Sequence, residues 1–303
     1  MHYLVTGGCG FIGSHLVRRL LAGGHGVTIM DDLSNACEQS APSAARLIVR
    51  DITEPNALDG VIAEIDGVFH LAAIVSVTQS AQLWRATHQV TLGGTVALLD
   101  AIARSGRKLP VVYASSAAVY GDSASAPFSE SGPCAPISAY GADKLGCELH
   151  ARVGWLVHAI PSAGLRFFNV YGPGQDPASP YAGVISIFAD RARRNLPVTI
   201  YGDGEQTRDY IYVADVADAM FAAMGRLEGK TLTHGVFNVC TGRPITVNAL
   251  AALIAPACAV HHCDPRPGDI RISTGDPEQC AKALGFRSAT SLKDGLEFTL
   301  KTV

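Results

Sequence analysis

The stretch VTGGCGFIGSHLV, residues 5–17, decides how the chain begins to fold. It passes from an apolar, strand-like run into a helical pattern, and Gly7, Gly10 and Gly13 stand at the junction. Glycines placed there let the backbone turn tightly and approach a pyrophosphate, and the free N–H groups of a helix N-terminus attract its negative charge. A glycine pattern alone can be only a tight turn, but its position between strand and helix predicts a dinucleotide site.

Outward from this junction, the first half of the chain alternates apolar, β-branched runs with helical patterns. Apolar residues recur at helical spacing over residues 12–21 and 92–102, whereas each short run is typical of a strand buried on both faces. This alternation predicts an α/β fold with a parallel, doubly wound sheet. The runs are YLVTGG from residue 3, GVTIMDD from 26, RLIVRD from 46, GVFHLAA from 67 and PVVYASS from 110.

The pattern changes in the second half of the chain. A stretch rich in glycine, proline and serine, GPGQDPASPYAG (172–183), precedes a helical pattern over residues 184–195 and several shorter elements. We therefore predict a dinucleotide-binding domain over residues 1–168, to which segments near 205–240 return. Residues 169–303 are predicted to form mainly a smaller α/β lobe that closes over the strand ends and binds substrate.

Composition excludes several classes of protein. The chain has 303 residues, 48% of them hydrophobic and 17% charged, so a disordered protein is not expected. A net charge of −3 gives no reason to expect a nucleic-acid or membrane partner, and no apolar run reaches the roughly 18 residues that span a bilayer. Eight cysteines without a Cys-x-x-Cys pair, and a start without a signal-peptide pattern, predict reduced thiols and a cytoplasmic protein. The segment HHCD (261–264) lacks paired zinc spacing, so we expect no metal.

An acidic residue at the end of the second strand-like run indicates which dinucleotide binds. Asp31 lies 18 residues after Gly13, close to the spacing of about 20 at which an acid reaches the adenosine ribose diol. A carboxylate at that place repels a 2′-phosphate, and no arginine follows immediately to bind one. The sequence therefore favours NAD over NADP.

Three polar residues that follow the fifth run predict the chemistry. Ser116 ends that run, and Tyr140 and Lys144 occur 24 and 28 residues later, one helical turn apart. A neighbouring ammonium group favours the phenolate and lowers the tyrosine pKa, so Tyr140 is predicted to act as a general base. A Tyr-x-x-x-Lys pair alone can be a surface pair, but here it follows a glycine-rich loop and a strand-end serine.

These motifs resemble the extended branch of the short-chain dehydrogenase/reductase superfamily, over essentially the whole chain. TGGCGFIGSHL, YGADK and, in particular, SSAAVYG (115–121) are similar to those of its UDP-sugar 4-epimerases. Related dehydratases and decarboxylases carry acidic residues where Ala117 and Ala118 stand. The resemblance implies a Rossmann-type fold and NAD-dependent 4-epimerisation of a UDP-hexose through a transient 4-keto sugar. A UDP-uronate 4-epimerase, a sugar-nucleotide reductase and a non-catalytic NAD-sensing protein remain alternatives.

The resemblance also assigns the remaining site residues. In the catalytic group, Tyr140 is the base, Ser116 bonds the reacting oxygen and Lys144 holds the nicotinamide ribose. The implied cofactor-binding residues are Gly7, Gly10, Phe11, Ile12, Gly13, Asp31, Asp32, Leu33, Ser34, Asn35, Asp51, Ile52, Leu71, Ala72, Ala73, Val75, Thr91, Ser115, Tyr140, Lys144 and Phe168. The implied substrate-binding residues are Ser76, Ser116, Tyr140, Asn169, Val184, Thr199, Tyr201, Arg208, Arg266, Asp269 and Ser273.

Three further expectations follow from the resemblance. Thr91 replaces a family asparagine beside the cofactor, which weakens one polar contact. Ser273, four residues after Asp269, is small where a large aromatic would restrict the sugar pocket, so N-acetyl sugars are expected to fit. The helices near residues 92–102 and 139–158 resemble those that form the interface of family homodimers.

Overall fold

Thirteen strands and eleven helices occur in the part of the chain described by this computed structural model, residues 1–36, 38–75, 77–122, 126–177, 179, 182–266 and 268–301. The strands are β1 (His2–Thr6), β2 (Gly26–Asp31), β3 (Arg46–Val49), β4 (Gly67–His70), β5 (Val111–Ser116), β6 (Ser162–Phe167), β7 (Asn169–Tyr171), β8 (Val198–Tyr201), β9 (Thr207–Tyr212), β10 (His234–Val239), β11 (Pro244–Thr246), β12 (Val260–Cys263) and β13 (Ile272–Ser273). The helices are α1 (Phe11–Ala22), α2 (Asp59–Ile62), α3 (Val77–Gln82), α4 (Trp84–His88), α5 (Gly94–Ser105), α6 (Ala139–His158), α7 (Val184–Arg193), α8 (Val213–Glu228), α9 (Val247–Ile254), α10 (Glu278–Leu284) and α11 (Leu292–Leu300). A π-helical turn, Gln89–Gly93, joins α4 to α5, and 3-10 turns span Glu38–Ser40 and Ala117–Tyr120.

Seven parallel strands form the large sheet, in the order β10-β6-β5-β4-β1-β2-β3. The predicted parallel α/β fold is confirmed. The strand order reverses between β1 and β4, which lie side by side although β2 and β3 come between them in the chain. A reversal of this kind opens a crevice beyond the carboxyl ends of the strands, where open α/β sheets bind their ligands.

Helices cover both faces of this sheet. On one face, α1 contributes Leu16 and Leu20 to a core that also includes Met220 and Met224 of α8. On the other, α5 and α6 pack over a second apolar cluster that includes Leu98. Leu16 and Leu20 are fully buried because their four-residue spacing places both on one side of α1.

The edge strand β3 differs from its prediction. The run from residue 46 was expected to be buried on both faces, but Arg46 is exposed and Val49 is 53% exposed. The expectation of a fully buried strand is wrong here because β3 ends the strand order and pairs only with β2.

The second half of the chain builds smaller sheets around β9, which pairs with β7 and β13 in parallel and with β11 in antiparallel fashion. β8 and β12 form a separate parallel pair, and Phe188, Ile200 and Leu250 lie in the core beneath these strands. Between these elements, α8 packs on the large sheet and β10 joins its edge beside β6. The division of the chain into domains at residue 168 stays a prediction. No helix in the described part of the chain is long and apolar enough to cross a membrane.

Candidate active site

A cavity of about 1720 Å³ lies beyond the carboxyl ends of the large sheet, between that sheet and the elements of the second half. Its walls include the glycine-rich junction after β1, the ends of β2, β4 and β5, the start of α6, and parts of α7, β8 and β9. The topology therefore brings segments distant in the sequence to one elongated site.

The glycine-rich junction leaves no space for side chains. Gly7 has a φ of +69°, and a Cβ on Gly13 would lie 2.1 Å from the carbonyl oxygen of Gly7. α1 begins at Phe11 without a side-chain cap on Gly10, so its first N–H groups remain available at the cavity wall. A tight backbone with available N–H groups fits a pyrophosphate, as predicted from the sequence.

Asp31 ends β2 beside this junction and lies in the cavity wall. Its carboxylate accepts hydrogen bonds from the backbone N–H groups of Cys9 (2.9 Å) and Leu33 (3.0 Å). Burial raises the pKa of Asp31, and these two bonds oppose that effect by stabilising the carboxylate. The acid is thus held in a fixed orientation where an adenosine ribose is expected. The residues fit a dinucleotide with two free ribose hydroxyls.

The end of β5 and the start of α6 meet at the three residues that are predicted to be catalytic. Ser116 caps the 3-10 turn after β5, and its Oγ accepts a hydrogen bond from the N–H of Ala118 (3.1 Å). α6 approaches this turn closely, because a Cβ on Gly141 would lie 2.6 Å from the carbonyl oxygen of Ala118. This contact places Tyr140, in the first turn of α6, in a hydrogen bond with the side chain of Ser116.

Lys144 lies one turn further along α6 and is 4% exposed. Its Nζ donates a hydrogen bond to the carbonyl oxygen of Ala114 (2.8 Å) and lies 5.8 Å from the centre of the Tyr140 ring. Burial lowers the pKa of Lys144.

The ionisation of Tyr140 differs from the sequence-based expectation. Burial raises the pKa of Tyr140 to about 12, and the hydrogen bond with Ser116 opposes this only in part. The expected net lowering of the Tyr140 pKa is wrong for the protein alone, because desolvation of the phenolate is the largest effect on it. Tyr140 is therefore protonated at neutral pH in the absence of ligand.

The predicted substrate-binding cations lie at the other end of the cavity. Arg208 donates a hydrogen bond to Asp269 (2.5 Å) and another to the carbonyl oxygen of Thr207 (2.9 Å). The guanidinium of Arg266 stacks 3.8 Å above the ring of Tyr201. Two arginines at one end of an elongated cavity can bind a diphosphate, whose charge and oxygen spacing match the guanidinium.

Most of the other predicted residues also line the cavity. Asn169, at the start of β7, donates to the carbonyl oxygen of Asp209 (3.1 Å). Ser115 is 1% exposed and donates to Glu148 rather than to the cavity. The remaining lining residues from the prediction are Gly7, Gly10, Phe11, Ile12, Gly13, Asp32, Ser34, Asn35, Asp51, Ile52, Leu71, Ala72, Ala73, Val75, Phe168, Val184 and Thr199.

Three predicted residues are not among the described residues that line the cavity. Leu33 has a φ of 58° and contributes its N–H to Asp31. Thr91 is fully buried in the π-helical turn, where its Oγ accepts from the N–H of Ile74 (3.3 Å). Ser273 lies in β13 opposite Arg208 and is 8% exposed, so the structure does not place it at the pocket wall. Ser76, predicted to contact substrate, lies outside the described residues.

Sequence reasoning missed several polar residues of the cavity. His15 follows Gly13 by two residues, and its Nε2 donates to the carbonyl oxygen of Pro173 (2.9 Å), joining α1 to the loop after β7. Arg191 lies two turns after Val184 on α7, and this helical spacing was the signal that could have found it. The other missed polar residues of the wall include Arg18, Arg50, Gln175, Asp176 and Gln206.

Tyr140 should show no phenolate signal near neutral pH in the protein without cofactor, because burial holds its pKa at about 12. Ultraviolet absorbance of the wild type, minus that of Tyr140→Phe, is expected to stay flat from neutral pH to about pH 10, the ordinary tyrosine pKa. A phenolate difference signal that develops near neutral pH would contradict the dominance of burial.

Comparison with known proteins agrees with this geometry. Residues 3–240 match the NAD dependent epimerase/dehydratase family. The chain is 36% identical to a UDP-glucose 4-epimerase of Mycolicibacterium smegmatis, over 99% of this chain and 98% of that protein.

The fold is also similar to those of solved 4-epimerase structures. The UDP-glucose 4-epimerase of Thermotoga maritima, determined with UDP-glucose, superposes with a TM-score of 0.93 at 34% identity, over 100% of this chain and 98% of that one. The UDP-N-acetylglucosamine 4-epimerase of Methanobrevibacter ruminantium, in complex with UDP-N-acetylmuramic acid, has a TM-score of 0.93 at 34% identity, over 99% and 97% of the two chains. The chain belongs to the NAD dependent epimerase/dehydratase family.

Proposed function

We propose that this protein is an NAD-dependent UDP-sugar 4-epimerase. The observation that carries the proposal is that Ser116, Tyr140 and Lys144 meet at one cavity. The two residues that follow Ser116 in the chain, Ala117 and Ala118, have no acidic or basic group. This site can move a hydroxyl proton, but it lacks at those positions the acid and base that an elimination of water needs. Similarity to UDP-glucose and UDP-N-acetylglucosamine 4-epimerases supports a UDP-sugar as the substrate.

The chain's own residues perform the proton transfer. Tyr140 accepts the proton of the sugar 4-hydroxyl and returns it after the 4-keto sugar has turned over in the cavity. Ser116 donates a hydrogen bond to the reacting oxygen, since its Oγ already accepts one from the N–H of Ala118. The glycine-rich junction, Asp31 and Lys144 would hold NAD. When bound there, NAD would accept and return the hydride of C4, and its positive charge would favour the phenolate of Tyr140.

The end of the cavity that contains Arg208 and Asp269 is suited to bind the diphosphate of the substrate. Arg208 is paired with Asp269 in the absence of ligand, at 16% and 32% exposure. An incoming diphosphate competes for the Arg208 guanidinium, and Asp269 then becomes available to a ribose hydroxyl. Anchoring of the diphosphate far from C4 leaves the sugar room to rotate between the two hydride transfers.

Activity on a panel of UDP-sugars tests the proposal. Purified protein with NAD is expected to interconvert UDP-glucose and UDP-galactose with no net change in reduced cofactor, and the panel includes N-acetylhexosamines and uronates. Tyr140→Phe should lower kcat by about 10²–10⁴-fold with the fold retained, because the ring still packs while the proton acceptor is lost.

Tyr113→Phe is the matched control. The Tyr113 hydroxyl is buried in β5 without a hydrogen-bond partner among the described residues, so its removal should leave kcat unchanged. Steady consumption of NADH, when NADH replaces NAD in the assay, would indicate a reductase instead, and inactivity on the whole panel would overturn the proposal.

Asp31→Asn should weaken NAD binding and relax the discrimination against NADP. Hydrogen bonds to a charged group contribute about 1.5–3 kcal/mol, so NAD affinity is expected to fall about 10–100-fold. Titration of cofactor-free protein with each dinucleotide measures both effects, with Asp100→Asn on the exposed face of α5 as the charge control. Equal affinity of the wild type for NAD and NADP would contradict this role of Asp31.

We further propose that the enzyme is a cytoplasmic homodimer. Four apolar side chains of α6, Leu149, Val153, Leu156 and Val157, are 52–67% exposed. Their spacing places them on one helical face beside α5, which supports an interface at these two helices. The cysteines of the described residues carry thiols rather than disulfides, which suits a reducing compartment.

Leu156→Glu should convert the dimer to a monomer, because a carboxylate at the centre of an apolar interface would be desolvated. Light scattering at micromolar concentration measures the mass. Leu253→Glu, at a similarly exposed leucine of α9, should leave the dimer intact. A wild type with monomeric mass would rule out this interface.

A further inference from the structure

A buried network of charged and polar side chains lies behind the cavity wall. At its centre, Arg166 of β6 and Glu148 of α6 form an ion pair whose side chains are 5% and 6% exposed. Two parallel hydrogen bonds join them, from Nη2 to Oε2 at 2.7 Å and from Nε to Oε1 at 2.8 Å. This two-pronged geometry fixes both the distance and the angle between the groups.

The network extends to either side of the ion pair. Ser115 donates to Oε1 of Glu148 (2.5 Å), and Nη1 of Arg166 donates to the hydroxyl of Tyr120 (2.8 Å). Tyr120 in turn donates to Oδ1 of Asn238 (2.6 Å) in β10. One continuous set of hydrogen bonds therefore links β5, the turn that follows it, α6, β6 and β10.

The network is attached directly to the elements that carry the catalytic residues. Glu148 follows Tyr140 and Lys144 on α6 at four-residue spacing, and Ser115 immediately precedes Ser116. The register of β5 and β6 also pairs Ser115 with Arg166. The helix that bears the base is thus bonded, two turns below it, to the strand that bears the serine.

Stability alone does not explain a buried ion pair at this position. Moving two charges out of water is costly, and apolar residues of similar volume often give equal or greater stability. The core on this face of the sheet is already apolar, with Tyr113 of β5 and Cys147 and Ala151 of α6 buried in one cluster. Unlike apolar packing, the hydrogen bonds of the ion pair are directional. They hold α6 at one position along the length of β5.

We propose that Glu148 and Arg166 are positioning residues for the reaction, which set the height of α6 against β5 and thereby the alignment of Tyr140 with Ser116. Neither side chain is among those that line the cavity, so both act through their neighbours. The kinetic part of this inference rests on the proposed epimerase function.

The double variant Glu148→Met/Arg166→Met tests the proposal, because it removes both charges and keeps similar volume. Its thermal stability and NAD affinity should remain close to the wild type. Its kcat should fall about 10–100-fold while KM changes less than about three-fold, since small misplacements of catalytic groups have effects of this size. The acidic limb of the pH profile of kcat should also move to higher pH, because the Ser116 hydrogen bond that lowers the pKa of Tyr140 is weakened.

Arg166→Lys is the second variant, and it decides the question if the double variant does not fold. It keeps the charge but loses the two-pronged bond and the contact with Tyr120, so kcat is expected to fall about 10-fold with little change in KM. Tyr3→Phe is the control: it removes a partly buried hydrogen bond to Glu228 near the amino end of β1, away from the cavity, and should leave kcat unchanged.

The outcomes are distinguishable. A wild type inactive on every UDP-sugar overturns the proposed function. An active wild type whose Arg166→Lys variant, or folded double variant, has unchanged kcat and an unchanged pH profile overturns the positioning role.

Discussion

The close contact between α1 and the turn after β1 is the constraint on which the rest of the site depends. Gly13 packs against Gly7 so tightly that even a methyl group would overlap the backbone. This contact directs the N-terminus of α1 to the place where the strand order of the large sheet reverses, between β1 and β4. One crevice is then lined by the N–H groups of the helix, the carboxylate of Asp31 and the residues that follow β4.

Burial shapes the chemistry at the other end of that crevice. Tyr140 and Lys144 are both removed from water, and desolvation shifts each of them toward its neutral form. The hydrogen bond with Ser116 opposes this effect in part, so the geometry between α6 and β5 influences the pKa of Tyr140. The buried pair of Glu148 and Arg166 is placed where it can maintain that geometry.

At the predicted substrate-binding end of the cavity, the charged groups are partly exposed, and each has a neighbouring side chain as its partner. Arg208 and Asp269 are paired, and Arg266 rests on the ring of Tyr201. These contacts keep the cations in the cavity wall without burying them unpaired. Exchange of such contacts for a diphosphate requires small side-chain movements and no change in fold.

The sequence by itself determined the parallel α/β sheet, because local periodicity and glycine placement reflect contacts within a strand or a helix and its immediate neighbours. It also predicted a serine, a tyrosine and a lysine that the structure brings to one cavity, because their positions follow from spacing along one strand end and one helix. Only the tertiary structure decided the exposure of β3, the direction in which burial shifts the pKa of Tyr140, the position of Ser273 beside Arg208 and the hydrogen bond of Ser115 to Glu148. Each of these depends on residues far apart in the chain. Desolvation and charge pairing are set by everything that surrounds a group, and no local pattern records those surroundings.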